Sequence, residues 1–139
     1  MKLRFVFFLL ITIITCFSCS NSDSYIPVVA VQLQLNTLDP QYQSLNGIGG
    51  WSYVEGGSRG IIVFRSGFNE FKAYDRHCTY QPENSCGQVS ITDSNILAQD
   101  SCCSSQFQLI DGQPIDGPAT RGLQQYSTSF DGNIIQVWN

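Results

Sequence analysis

Two cysteines stand next to each other in the chain, and this pair limits how the segments around it can be arranged. Cys102 and Cys103 share the region between residues 78 and 103 with Cys78 and Cys86. Adjacent Cα atoms lie about 3.8 Å apart, whereas a disulfide needs about 4.4–6.8 Å, so a bond between the neighbours is strained. Successive side chains of an extended chain point to opposite faces. We therefore expect two bridges, in either pairing, that clamp the segment 76–86 to the "DSCCSS" segment.

The first residues predict export, which favours such disulfides. The chain begins "MKLRFVFFLLITIITCFSCSNSDS", with a short positive region at Lys2 and Arg4 and an almost wholly apolar run at 5–15. This run is too short to span a bilayer as a helix and is typical of a secretory signal. No Arg-Arg pair is present, so the signal is of the Sec type and not of the twin-arginine type.

The end of this signal, "CFSC" followed by polar residues, resembles the lipobox of bacterial lipoproteins. The resemblance implies a signal peptide at 1–18 and lipidation of Cys19 as the new N-terminus. A flexible tether at 19–26 and a single domain at 27–139 would follow. The mature protein would be held at a membrane by its lipid anchor, in the cell envelope, without spanning the bilayer.

The charge of the chain argues against nucleic acid as a partner. The whole sequence has a formal net charge of −4, and both cations of the signal leave with it. Because no basic cluster survives in the mature chain, the electrostatic footprint of a nucleic-acid-binding protein is missing. We expect the membrane and an envelope protein as partners.

Strand signals dominate the mature chain. Short runs rich in β-branched and aromatic residues alternate with turn signals, and Asp111-Gly112 and Asp131-Gly132 are hairpin-type dipeptides. No stretch keeps helical periodicity for three turns. The prediction is therefore an all-β sandwich or small barrel. The runs are 28–36, 51–57, 60–67, 70–75, 105–115 and 125–139. The expected core aromatics are Trp51, Phe64, Phe71, Tyr74, Phe107, Tyr126, Phe130 and Trp138.

The segments "HCTYQPENSC" and "DSCCSSQFQLIDGQPIDGPATRGLQQYSTSFDGNIIQV" resemble the Rieske iron–sulfur domain. That family has a C-x-H loop, a C-P-x-H-G-S-x-F loop, a G-P-A segment and a final hairpin. The resemblance covers 28–139 and implies a Rieske-like antiparallel β fold with two cross-linked loops. The residues in step are Ser105, Phe107, Asp111, Gly112, Gly117, Pro118, Ala119, Leu123, Tyr126, Gly132, Ile134 and Val137.

The ligand positions depart from that family. A Rieske centre is held by two Cys and two His, and the resemblance places Cys78, Tyr80, Asp100 and Cys103 at the four positions. His77 is the single histidine of the chain and is out of step by one residue. Two imidazole ligands cannot come from one histidine, so a normal Rieske centre is excluded by composition and no cofactor is expected.

The resemblance also implies a disulfide pairing. Many quinol-oxidising Rieske proteins carry an extra cysteine in each loop, joined as a disulfide, and Cys102 and Cys86 fall at these places. The pairing implied is Cys86–Cys102, which leaves Cys78–Cys103 as a cross-loop staple where the metal would have been. Each closure contributes about 3 kcal/mol or less.

The leading prediction is a membrane-anchored cell-envelope lipoprotein, not an enzyme, whose Rieske-like domain acts as a structural or partner-binding module. One alternative is a Rieske-type 2Fe-2S electron-transfer protein with unusual ligands, drawn from Cys78, Cys103, Asp100 and His77 or Tyr80. A second alternative is a thiol-disulfide redox protein. We expect His77 to be a polar loop residue beside a disulfide. The aspartates are expected mostly at turns: Asp75, Asp93, Asp100, Asp111, Asp116 and Asp131.

Overall fold

The computed structural model describes residues 25–139. The predicted signal peptide, the lipidation of Cys19 and most of the tether lie outside the described residues and stay predictions. No helix within 25–139 has the length and apolar character needed to cross a membrane. This part of the chain has ten strands and one 3₁₀ helix, at Pro40–Asn46. The strands are β1 Gln32–Asn36, β2 Trp51–Val54, β3 Ile61–Arg65, β4 Phe71–Asp75, β5 Val89–Ile91, β6 Leu97–Asp100, β7 Gln106–Gln108, β8 Pro114–Asp116, β9 Gln125–Phe130 and β10 Ile134–Trp138.

A six-stranded antiparallel sheet, the base sheet, joins the two ends of the described chain. Its order is β1-β10-β9-β4-β3-β2, so β1 lies beside the last strand, with Leu33 opposite Val137. The predicted β9–β10 hairpin is confirmed. Its turn is held by the Asp131 side chain, which accepts hydrogen bonds from the N–H groups of Asn133 and Ile134 at 2.9 and 2.8 Å.

A four-stranded antiparallel sheet, the site sheet, is built from one uninterrupted stretch between β4 and β9. Its order is β5-β6-β7-β8. The predicted turn at Asp111-Gly112 connects β7 and β8, and Gly112 has a φ of +72°. A Cβ there would lie 2.6 Å from the Tyr74 ring, so this close approach to the base sheet requires glycine.

The core has two parts on opposite faces of the base sheet, and the second part also includes residues of the site sheet. The first holds Leu35, Ile61, Tyr126 and neighbours, and the second holds Tyr74, Phe107 and Leu109 with Cys78. Burial confirms five of the expected core aromatics, while Trp51 and Phe130 are half-buried. The prediction for Trp138 is wrong, because 39% of this residue is exposed. It follows buried Val137 in β10 and therefore lies on the opposite, solvent-facing side of the strand.

The prediction of an all-β fold is confirmed. In β10, alternation of apolar and polar residues places one face in the core, with Ile135 and Val137 buried and Gln136 exposed, whereas β3 is buried on both faces. Two loops of the stretch between β4 and β7 contain Cys78, Cys86, Cys102 and Cys103. The loop between β4 and β5, residues 76–88, is called the first loop below, and the turn between β6 and β7, residues 101–105, is called the second loop.

Candidate functional site

A buried carboxylate fixes the start of the first loop. Asp75 ends β4 with 1% of its surface exposed, and its two oxygens accept hydrogen bonds from four donors. These donors are the backbone N–H groups of Ser58 at 2.6 Å, Arg59 at 3.2 Å and His77 at 2.8 Å, and the hydroxyl of Tyr126 at 2.8 Å. Asp75 is therefore a buried anchor between strands, and the prediction of a turn aspartate does not describe it.

Both ring nitrogens of His77 form hydrogen bonds within the protein. Its Nε2–H donates to the carbonyl oxygen of Pro82 at 2.7 Å, and Nδ1 shares a hydrogen bond of 2.8 Å with the hydroxyl of Ser58. Only 3% of the residue is exposed, and the ring nitrogens are not part of the group of thiols described below. The possible role of His77 as a metal ligand stays a prediction; in this structure its two ring nitrogens contact Ser58 and Pro82.

The second loop is a tight turn organised by the end of β6. Asp100 Oδ1 accepts hydrogen bonds from the N–H groups of Cys102 at 2.6 Å and Cys103 at 2.9 Å. The N–H of Ser104, which has a φ of +63°, donates to the Asp100 carbonyl at 2.9 Å. This turn leaves Cys102 exposed and brings Cys103 partly under the surface. The adjacent cysteines thus face different partners, as predicted.

The outer cysteine pair forms a covalent bond between the two loops. Cys86 and Cys102 are joined as a disulfide with a Cα–Cα distance of 5.9 Å, within the usual range. Both residues are exposed, so the bond lies at the tip of the loops and covers little apolar surface. This predicted pairing is confirmed.

The inner pair faces across the loops without a bond. The Sγ atoms of Cys78 and Cys103 lie 3.7 Å apart, and both residues are free thiols here. The predicted Cys78–Cys103 disulfide therefore stays a prediction. Burial raises the pKa of Cys78 to about 12, against a hydrogen bond from the backbone N–H of Tyr80 that lowers it. Cys78 is consequently a neutral thiol at physiological pH.

A carboxylate completes this inner group. Cys78, Cys103 and Asp100 offer one sulfur or oxygen atom each, and all of these atoms lie within 4.8 Å of one another. Asp100 is fully buried, and its Oδ2 has no hydrogen-bond partner among the described residues. The structure thus brings together three of the four residues that the sequence resemblance places at cluster-ligand positions. The fourth, Tyr80, packs against the hydrophobic cluster that contains Cys78.

A loop after β8 covers the inner group from the side of Cys103. Ser105 is fully buried, and its Oγ accepts hydrogen bonds from the Cys103 thiol at 3.1 Å and from the Ala119 N–H at 3.0 Å. Gly117 has a φ of +86°, and a Cβ there would lie 2.5 Å from the Cα of Ser105. The Gly117-Pro118-Ala119 segment therefore packs directly on the residue that contacts the inner thiol.

A base sheet, a smaller site sheet and two cross-linked loops that face each other define a Rieske-like domain. The solved structures agree. The chain is similar to the cyanobacterial plasma membrane Rieske protein PetC3 from Synechocystis PCC 6803, with 25% identity and a TM-score of 0.59 over 77% of this chain and 99% of that one. No family model and no curated protein matches the sequence.

Two further solved structures share the fold at lower identity. One is a chain in the complex of reduced oxygenase and oxidized ferredoxin in carbazole 1,9a-dioxygenase, with 17% identity and a TM-score of 0.52 over 77% of this chain and 93% of that one. The other is the ferredoxin of carbazole 1,9a-dioxygenase from Nocardioides aromaticivorans IC177, with 16% identity and a TM-score of 0.50 over 78% of this chain and 96% of that one. At this identity they support the fold alone.

The inner group does not fit the cluster that the fold suggests. A Rieske centre binds one iron through two Cys and the other through two His, whereas this group offers two thiols and one carboxylate, with the only histidine facing elsewhere. The resemblance places Cys78 and Cys103 at ligand positions of the two different irons. Their sulfur atoms are in van der Waals contact at 3.7 Å, so two irons and two sulfides have no space between them.

Proposed function

We propose that the chain is a lipid-anchored cell-envelope protein whose Rieske-like domain has exchanged its iron–sulfur cluster for direct cross-links between the two loops. It would act as a structural or partner-binding module and not as an enzyme. The observation that carries the proposal is the pair of cross-loop contacts at the former cluster site. One is the Cys86–Cys102 bond, and the other is the pair Cys78 and Cys103 at 3.7 Å.

Oxidation of the inner pair would complete the replacement. The two sulfurs would have to close from 3.7 Å to about 2.05 Å. Cys103, which lies on an exposed turn, can move more easily than Cys78, which is fully buried. Two thiol protons and two electrons leave in this step, and the oxidant is the thiol-oxidising system of the envelope compartment.

The alternative of a thiol-disulfide redox protein is less well supported. A reactive cysteine needs exposure and a lowered pKa, whereas Cys78 is fully buried and its pKa is raised to about 12. The exposed pair, Cys86 and Cys102, is already bonded. These observations favour a static cross-link over a catalytic dithiol.

The tip of the two loops is the surface we propose for a partner. Cys86, Cys102 and most of the residues around them are exposed and polar, and binding residues are often placed on loops that a rigid scaffold holds. Because this tip offers few apolar side chains, we expect recognition by hydrogen bonds and not by burial of a hydrophobic patch. Truncating Glu83 and Asn84 to alanine would weaken capture of an envelope protein cross-linked to the tip and leave folding unchanged.

The central test is the intact mass of the full chain extracted from membranes, before and after reduction. We expect an N-terminus at lipidated Cys19 and a mass that rises on reduction by the hydrogens of two disulfides. Cys19→Ser should abolish the lipid mass, and Cys16→Ser is the matched control that should keep it. An unlipidated mature chain would refute the anchor. A chain that gains hydrogens for one disulfide only would refute the inner staple.

A further inference from the structure

The buried oxygen of Asp100 raises a question that cross-linking of the thiols does not answer. Burying a carboxylate oxygen without a hydrogen-bond donor is costly, and native proteins rarely do so. Asp100 Oδ2 is such an atom within the described residues. A disulfide between Cys78 and Cys103 would remove two thiol hydrogens from its neighbourhood and would supply no donor in return.

The distance between the two inner sulfurs matches the edge of a tetrahedral metal site. For Zn–S bonds of about 2.3 Å, two thiolates of a tetrahedral ion lie about 3.8 Å apart, and Cys78 and Cys103 are at 3.7 Å. One oxygen of Asp100 lies within 4.8 Å of both sulfurs. This separation fits two sulfurs that bind the same ion, whereas sulfurs bound to the two different irons of a cluster would lie farther apart.

The surroundings supply the second shell that such a site needs. Oδ1 of Asp100 is held by the N–H groups of Cys102 and Cys103, which orients the carboxylate. Ser105 Oγ lies 3.1 Å from Cys103 Sγ, and its hydroxyl hydrogen can turn toward a thiolate at that position. Hydrogen bonds to the side chains that bind a metal orient those side chains and raise the affinity for the metal.

We propose that Cys78, Cys103 and Asp100 form, in the reduced protein, a site for a single thiophilic divalent cation of the Zn²⁺ class. Two sulfur–metal bonds and one oxygen–metal bond form, two thiol protons pass to solvent, and no electron is transferred. Two thiolates and one carboxylate suit Zn²⁺ better than Mg²⁺ or Ca²⁺. Half-buried Cys103 gives the ion access and leaves its fourth position to a solvent molecule.

Cation binding and disulfide formation are alternative fates of the same two thiols. The inference therefore goes beyond the proposed function and concerns only the reduced state. In that state a bound ion would link the two loops reversibly at the place where the disulfide links them covalently.

The test is a Co²⁺ titration of the full chain, extracted from membranes, reduced, freed of metal and kept without oxygen. We expect one Co²⁺ per chain, a thiolate-to-cobalt absorption band in the near ultraviolet, and displacement by equimolar Zn²⁺. Cys103→Ser should weaken binding at least 100-fold. Asp100→Asn keeps the oxygen that accepts the turn hydrogen bonds and should weaken binding at least tenfold.

The matched control is the double variant Cys86→Ser/Cys102→Ser, which removes the outer pair and should keep the band. Three results would overturn the proposal: no thiolate band with the reduced wild-type chain, a band that survives Cys103→Ser, or a band lost only in the control. Two irons with inorganic sulfide per chain would also overturn it, in favour of a cluster. None of these outcomes depends on lipidation or on the partner, so they are separate from failure of the proposed function.

Discussion

The outer disulfide should contribute a large part of the stability of the domain. Cys86 and Cys102 are separated by 16 residues, and closing a loop of this length in the unfolded chain removes entropy equivalent to about 3 kcal/mol at 25 °C. Both cysteines are exposed, so replacing them by serine costs little packing. The double variant Cys86→Ser/Cys102→Ser should therefore lose about 3 kcal/mol of the free energy of unfolding, out of the roughly 5–15 kcal/mol that is typical of a domain.

The assay is urea denaturation of the full wild-type and variant chains, first without reductant and then with it. Without reductant the two free energies of unfolding should differ by about 3 kcal/mol. With reductant the wild-type chain loses the same cross-link, so the difference should fall close to zero. A difference below about 1 kcal/mol, or one that persists in reductant, would refute the view that the cross-link acts through the unfolded chain.

Three further predictions concern the buried polar groups and one glycine. Tyr126→Phe should lower the free energy of unfolding in urea by about 1.5–3 kcal/mol, because the Asp75 carboxylate loses one of its donors. Stability should fall above pH 10, because burial raises the pKa values of Tyr74 and Tyr126 above the unfolded value of 10.0, so the unfolded chain loses protons first. In a pH series, the slope for Tyr126→Phe should be shallower by about 1.4 kcal/mol per pH unit. Gly117→Ala should cost more than about 1 kcal/mol in thermal unfolding, because its Cβ would meet Ser105.

These predictions have independent controls. Trp138→Phe changes an exposed aromatic residue and should shift stability by less than about 0.5 kcal/mol. An equal slope for wild type and Tyr126→Phe would contradict the assignment of a buried, protonated Tyr126. A Gly117→Ala chain as stable as wild type would show that the covering segment can move away from the second loop.

The strands with long β-branched or aromatic runs could be predicted from the sequence, whereas not all strands of the site sheet could. Runs such as 60–67 are long, β-branched and bounded by glycine, and β3 lies within that run. β5 and β6 have only three and four residues. Each mixes polar and apolar residues over too short a length for a periodic pattern to identify it as a strand. They are strands because β7 and the base of the first loop pair with them, which is a tertiary effect.

The candidate site was predictable in its residues and not in its geometry. The spacing of the adjacent cysteines pointed to different partners for Cys102 and Cys103. The resemblance to the Rieske motifs then placed Cys78, Asp100 and Cys103 at ligand positions of one site. The same spacing could not show that the ring of His77 faces Ser58 and Pro82, because the direction of a loop side chain depends on contacts distant in sequence. Oδ2 of Asp100 has no hydrogen-bond donor among the described residues because the side chain is buried. A polar residue beside a turn is not expected to be buried, so this could not be predicted from the sequence.

The candidate site and the closure of the base sheet involve different parts of the chain, and this affects which substitutions the fold tolerates. The base sheet is closed by strands from both ends of the described chain, whereas every residue of the inner group lies on the stretch from the first loop to the segment after β8. Substitutions at Cys78, Asp100 and Cys103 therefore leave the strand pairing of the base sheet intact. The stretch between β4 and β9 is thus the part of the chain in which ligand residues can change while the base sheet stays paired.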